Sequence, residues 1–187
     1  MDFSELVKKR YSCRKYLPDT VNRELIEKCI EAARLAPSAC NSQPWNFIVV
    51  DEKEKLKEVS DAALSGIYGT PKLMANSPVL IIVTADKGSF FSKVGNFVRD
   101  TMFYLIDIGI ASEHLVLQAA ELGLGTCYIG WFNEKEVKKK LGLGKSINIP
   151  LIITMGYPDE SHRSKDITRR FANGGSRKPI EDILQYK

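Results

Sequence analysis

The spacing of apolar residues changes several times along this chain, and each change marks an element. Near the start, Phe3, Leu6 and Val7 share one helical face, with Asp2 or Ser4 placed to cap it. Asn22 is a second candidate cap. After it, Leu25, Ile26, Cys29, Ile30 and Ala33 recur at helical spacing until Pro37 stops the helix. Residues Asn46–Asp51, with Phe47, Ile48, Val49 and Val50, read as a buried strand, and Lys53–Leu64 as an amphipathic surface helix. A Gly- and Pro-punctuated stretch, Ser65–Pro78, leads to a second strand, Val79–Ala85.

From Asn96 to Leu122 apolar residues fall on nearly every helical face, so a helix here is expected to be buried all round. A single domain of this size does not easily cover such a helix, and a second subunit is the natural partner. Gly123–Gly125 supplies the helix end, and Thr126–Phe132 reads as a strand. Asn133 and Glu136 form a capping-box variant for a helix running to Leu141, and Asn148–Gly156 is the last clear strand. A polar, basic tail follows from Tyr157 to Lys187. No repeat or linker divides the chain, so residues 1–187 are expected to form one α+β domain, a sheet packed by helices.

Composition narrows the function. The 187 residues are 44% hydrophobic and 27% charged, which suits a globular domain with a sizeable core. No apolar run reaches the roughly 18 residues of a membrane span, and Met1–Arg10 has no signal-peptide core, so a cytoplasmic location is expected. The net charge of +4 equals the excess within the last 25 residues, where seven Lys and Arg face three Asp and Glu. Lys8–Pro18 is also wholly basic. Two basic ends on a balanced chain suit an anionic ligand, whereas a nucleic-acid platform would interleave the charges with aromatics. Cys13, Cys29, Cys40 and Cys127 form no CxxC pair, and with two histidines no metal site is expected. Nucleophile motifs and a P-loop are absent as well.

Three segments carry candidate chemistry. In Arg10-Tyr11-Ser12-Cys13-Arg14, two arginines and a hydroxyl at alternate positions can line one side of an extended segment and hold a phosphate. In Ala36–Trp45, small residues let a flat ring approach the backbone, while Asn41 and Gln43 both donate and accept hydrogen bonds. In Gly123–Phe132, a glycine inside a strand pattern marks either a bulge or a close ligand approach. Gly123-Leu124-Gly125 follows a helix and precedes a strand, the reverse of a dinucleotide-binding turn.

Taken in order, RxSxR, APSxxNxQPW, ELGLGTCYIGWF, the MGYP of Met155–Pro158 and the tail RKPIEDILQY resemble the FMN-dependent nitroreductase family over essentially the whole chain. The resemblance implies a mixed, mainly antiparallel sheet flanked by helices, in an intertwined homodimer with FMN at the interface. It places Arg10 and Ser12 on the FMN phosphate, with Tyr11 contributing backbone, and Arg14 at the flavin N1/O2 edge. Pro37, Ser38, Ala39 and Asn41 correspond to a loop that the partner subunit lays on the flavin. Tyr128, Ile129 and Gly130 face the other side of the ring, where a backbone N–H approaches N5, and Arg177 reaches the phosphate. Gly175 stands where some members carry a second basic residue, a loss that Lys178 or Arg170 could offset. The implied activity is hydride transfer from NAD(P)H through flavin N5 to an acceptor such as a nitroaromatic or quinone, with Arg14 and Gly130 as the catalytic positions. The alternatives are a specialised reductase, dehalogenase or azoline oxidase on the same scaffold, or a non-catalytic flavin-binding redox sensor. The acceptor pocket is expected around Ser65–Gly95 and Ser161–Gly175, with Arg99, Tyr104 and His114 as further candidates.

Overall fold

The computed structural model describes residues 1–68, 76–85, 101–163 and 176–187. Helix α1 (Phe3–Lys9) is capped by Asp2, whose carboxylate accepts the Glu5 N–H while the Glu5 side chain returns to the Asp2 N–H. Asn22 caps α2 (Arg23–Arg34) through the Glu24 N–H. The first strand, β1, spans Trp45–Val50, followed by α3 (Lys53–Ala63) and β2 (Val79–Ala85). The long helix α4 runs from Phe103 to Glu121 and stops at Gly123, whose φ of 80° only glycine adopts freely. Next come β3 (Gly125–Ile129), α5 (Glu134–Leu141), β4 (Asn148–Gly156) and the short α6 (Glu160–Arg163). Asn133 caps α5 by accepting the Glu136 N–H at 3.3 Å.

The four strands form one sheet in the order β1-β2-β4-β3, with every ladder antiparallel. Strand β2 is buried along its whole length, and the period of two divides its side chains between two cores. Val79, Ile81 and Val83 join Ile108, Ala111 and Leu115 of α4 and Ile26, Cys29 and Ala33 of α2 in one layer. Leu80 and Ile82 pack with Val59 and Ala63 of α3 and Val137 of α5 in the other. Among the described residues this is a helix–sheet–helix arrangement, the expected α+β class.

The N-terminal connection completes the sheet's β3 edge. Ser12 bridges Thr126 in parallel, with the Cys13 N–H donating to the Thr126 carbonyl at 2.8 Å, and Tyr16 bridges Pro158. Two glycines opposite each other in the β3–β4 ladder, Gly125 and Gly156, make room for it. A Cβ on Gly125 would lie 2.7 Å from that of Cys13, and one on Gly156 would strike Pro78 and the Tyr16 ring. The buried Tyr16 hydroxyl donates to the Cys13 carbonyl at 2.8 Å and lies 2.7 Å from Thr154 Oγ1.

Two sequence expectations change. The strand Thr126–Phe132 stops at Ile129, because continuing the ladder past Ile129 and Ile152 would set Trp131 against Pro150, which has no N–H. Within the helix Asn96–Leu122, Thr101 and Met102 are not helical, and Asn96 to Asp100 lie outside the described residues. Within the single chain the helix leaves one apolar patch uncovered, the place where the sequence reading expects a second subunit. Leu105 (40% exposed) and Ile106 (51%) are bare on α4, continued by the exposed Gly109, and Met102 (59%) stands just before the helix.

Candidate functional site

The basic segment lies against β3. Cys13 points inward and is buried under Gly125, so Arg10, Ser12 and Arg14, all half-buried, share the alternate outward side. Arg10 also borders an open concavity of about 220 Å³, shared with Lys9, Tyr11, Gly123, Pro158 and Glu160. Its charge acts on Tyr128, two residues along β3 from the Thr126 that Ser12 bridges. The Arg14 guanidinium donates to the Ser12 carbonyl at a long 3.4 Å. Tyr11 donates its hydroxyl to Glu160 at 3.2 Å, and burial, followed by the charges of Cys13 and Glu160, raises its pKa.

At the end of β3, three neighbouring residues take different directions. Tyr128 turns towards α4 and donates to Glu113 at 3.2 Å; enclosure of the phenol and the Glu113 charge raise its pKa. Ile129 is half-buried and packs against the core layer that includes Phe132 and Val137. Gly130 is exposed, and a Cβ there would meet nothing within 4 Å. Among the described residues, no side chain or neighbouring atom crowds the backbone along its Cβ direction. Beyond it Trp131 is 61% exposed and lies 5.1 Å from the Tyr68 ring, centroid to centroid.

The segment Pro37–Asn41 belongs to a loop of unusual backbone. Cys40, Asn41 and Gln43 have φ of 52°, 53° and 43°, the left-handed region that non-glycine residues rarely occupy. Ser38 Oγ accepts the Gln43 N–H at 3.0 Å and closes the loop. Asp107 of α4 fastens it: Oδ1 accepts the Ala39 N–H at 3.0 Å and Oδ2 accepts the Ser42 hydroxyl at 3.3 Å. Sequence reasoning missed Asp107 and Glu113. A signal for Asp107 existed, since it is the one charged residue in Thr101–Ser112.

Helix geometry separates two groups of the candidate residues. Asp107 holds the loop and Glu113 holds Tyr128; six residues apart, they lie roughly 9 Å apart along α4 and about 120° apart around it. Within one chain, Arg10, Ser12 and Arg14 are brought to the Tyr128–Gly130 segment, while Pro37, Ser38, Ala39 and Asn41 are held on another side of the helix. Arg177 is on an exposed tail, where its guanidinium donates to the Ser176 carbonyl at 2.8 Å. Of the further candidates, His114 Nδ1 lies 3.2 Å from the Ala32 carbonyl, and Tyr104 is buried, its hydroxyl accepting from Asn148 at 3.4 Å. Arg99, Arg170 and Gly175 lie outside the described residues. Among the described residues no three His, Cys, Asp or Glu side chains are grouped to hold a metal. No helix among them is long and apolar enough to cross a membrane.

The family model "Nitroreductase family" matches residues 7–69 and 67–157 of this chain. A protein of Archaeoglobus fulgidus with the provisional name NADH dehydrogenase/NAD(P)H nitroreductase is 32% identical over 171 residues, 89% of this chain and 91% of its own length. A solved nitroreductase family protein of Clostridium difficile 630 superposes with a TM-score of 0.75 at 31% identity, covering 100% of this chain and 99% of its own. An FMN-dependent nitroreductase of Clostridium difficile R20291 matches with a TM-score of 0.68 at 35% identity, covering 83% and 87% of the two chains. With its α+β sheet and motif order, the chain belongs to the nitroreductase family.

Proposed function

We propose that this protein is an NAD(P)H-dependent oxidoreductase that uses FMN to reduce a small organic acceptor such as a nitroaromatic or quinone. The observation that carries the reading is the Ser12–Thr126 bridge, which sets the Arg10–Arg14 segment beside the strand leading to Gly130. A cationic, hydroxyl-bearing edge is thereby joined to an open glycine backbone, the two things a phosphorylated flat ring needs at its two ends. FMN bound there supplies hydride acceptance from NAD(P)H and hydride donation to the acceptor. Arg10 and Ser12 hold its phosphate, with Arg177 from the tail. Arg14 offsets negative charge at the N1/O2 edge, and the Gly130 N–H is presented to N5. The names of the Archaeoglobus relative and of the FMN-dependent Clostridium structure support the same chemistry.

The second half of the site comes from another copy of the chain in this reading. Pro37, Ser38, Ala39 and Asn41 of one subunit lie over the flavin held by Arg10, Ser12 and Arg14 of the other. The roughly 120° between their anchors on α4 supports it, as does the bare patch of Met102, Leu105 and Ile106. Purified protein is expected to be yellow and to release FMN, not FAD, on denaturation. It is also expected to oxidise NAD(P)H faster when a nitroaromatic or quinone is added. Colourless protein that gains no absorbance with added FMN would overturn the reading, whereas flavin without acceptor-dependent turnover would favour the sensor.

A further inference from the structure

Asp107 sits in the second turn of an apolar helix, 4% exposed, where packing alone would favour an aliphatic residue. A buried carboxylate needs hydrogen-bond donors, and the two donors it has among the described residues come from one short loop. Ala39 opens the single 3-10 turn Ala39–Asn41, and Ser42 closes it. The two residues enclosed between these contacts, Cys40 and Asn41, are held at positive φ, and Gln43 follows in the same region. Such backbone persists when its surroundings fix it from more than one side. Here the Ser38–Gln43 bond fixes it from within and Asp107 fixes it from α4.

We infer that Asp107 is a positioning residue for the cofactor: its carboxylate clamps both ends of the Ala39–Ser42 turn, so that Ser38, Ala39 and Asn41 are ordered before FMN arrives. This rests on the reading, given above, that the loop lies against flavin. Without the clamp the turn relaxes out of the left-handed region, and its ordering opposes each binding event. Asparagine at this position keeps the acceptor for the Ala39 N–H and can donate to Ser42, so the clamp needs the shape and hydrogen bonds of the group and not its charge.

The test measures FMN dissociation constants by quenching of flavin fluorescence on titration with cofactor-free full-length protein, alongside the visible circular dichroism of the bound flavin and thermal midpoints without flavin. Asp107→Leu is expected to weaken FMN binding roughly tenfold or more and to alter the flavin dichroism, while Asp107→Asn stays within about threefold of wild type. Ser42→Ala removes one of the two contacts without touching the helix, and is expected to weaken binding about threefold even if Asp107→Leu does not fold. Asn41→Asp, which keeps the backbone preference but loses an amide donor facing the ring, tests the loop assignment itself. If Asn41→Asp binds FMN poorly while Asp107→Leu and Ser42→Ala bind like wild type, the clamp is wrong and the loop assignment stands. If all three bind like wild type, the loop does not face flavin and both ideas fall. Equal weakening by Asp107→Leu and Asp107→Asn would assign the effect to charge and overturn the clamp as stated.

Discussion

At the scale of single residues, two arginines four positions apart are expected to fail in different ways. Reduction of the flavin ring puts negative charge at N1/O2 and leaves the phosphate unchanged. On the placement proposed above, replacing Arg14 with Met removes a cation that favours the reduced form, whereas Arg10→Met removes one that favours both forms equally. One charge-assisted hydrogen bond contributes about 1.5–3 kcal/mol, and about 1.4 kcal/mol corresponds to about 30 mV for a two-electron couple. Redox titration with excess FMN should thus place Arg14→Met several tens of millivolts below wild type (about 30–60 mV), with Arg10→Met close to wild type but retaining FMN poorly. Equal potentials in Arg14→Met and wild type would remove Arg14 from the N1/O2 edge. A second residue-level outcome concerns alkaline pH. Complete burial pushes the Cys29 thiol up to about 12 and, with the Cys13 charge second, raises Tyr16 well above its ordinary value. In both the folded chain holds the proton more tightly than the unfolded chain, whose values are about 8.5 and 10. Their contribution to stability is complete below about pH 8.5 and is lost as pH rises through the folded values. The urea midpoint is expected to fall between pH 8.5 and 11, and Cys29→Ala to flatten the lower part of that fall; a midpoint level across the range would contradict it.

Elements raise a different question: which glycines serve the fold and which serve the ligand. Gly125→Ala drives a Cβ into Cys13 and should dislodge the Arg10–Arg14 segment from β3, costing about 1–3 kcal/mol of stability and flavin retention together. Gly130→Ala meets open space and should melt like wild type, yet hold FMN less tightly because the new methyl stands where the ring approaches. Thermal midpoints and FMN affinities of the two variants check this, and a Gly130→Ala protein with unchanged affinity would place the ring elsewhere. Much of the element order was legible because its signals are local. Asn22 and Asn133 as caps, Gly123 as a stop and the unbroken apolar run Val79–Ala85 each needed only neighbouring residues. What escaped reading depended on distant partners. The end of β3 is set by Pro150 across the ladder, and the tethers Asp107–Ala39 and Glu113–Tyr128 join residues 68 and 15 positions apart in sequence. The pairing of Gly125 with Gly156, which seats Cys13 and Tyr16, is likewise invisible until the register is known.

At the scale of the whole molecule, the apolar surface that one chain leaves uncovered decides the expected assembly. Leu105 and Ile106 lie on the same long helix that anchors the Pro37–Asn41 loop, and Met102 immediately precedes it. Phe3 and Val7 of α1 and Ile180, Ile183 and Tyr186 of the tail are exposed as well. Isolated exposed aliphatics are ordinary, but an apolar patch accompanied by an apolar tail is the kind of surface a second subunit covers. An obligate interface commonly buries more than about 2,000 Å², and such a dimer has no stable flavin-loaded monomer if each site borrows a loop from the other chain. Ile106→Glu places a charge on the patch, where it is half-exposed in the single chain and so leaves the cores of that chain intact. The variant is expected to keep wild-type far-ultraviolet circular dichroism, to scatter light as a monomer at micromolar concentration, and to release its FMN. On dilution of the wild type, dissociation and flavin release should follow one curve. A wild-type monomer that retains FMN, or an Ile106→Glu monomer that binds it as tightly as wild type, would show that a single chain builds the whole site.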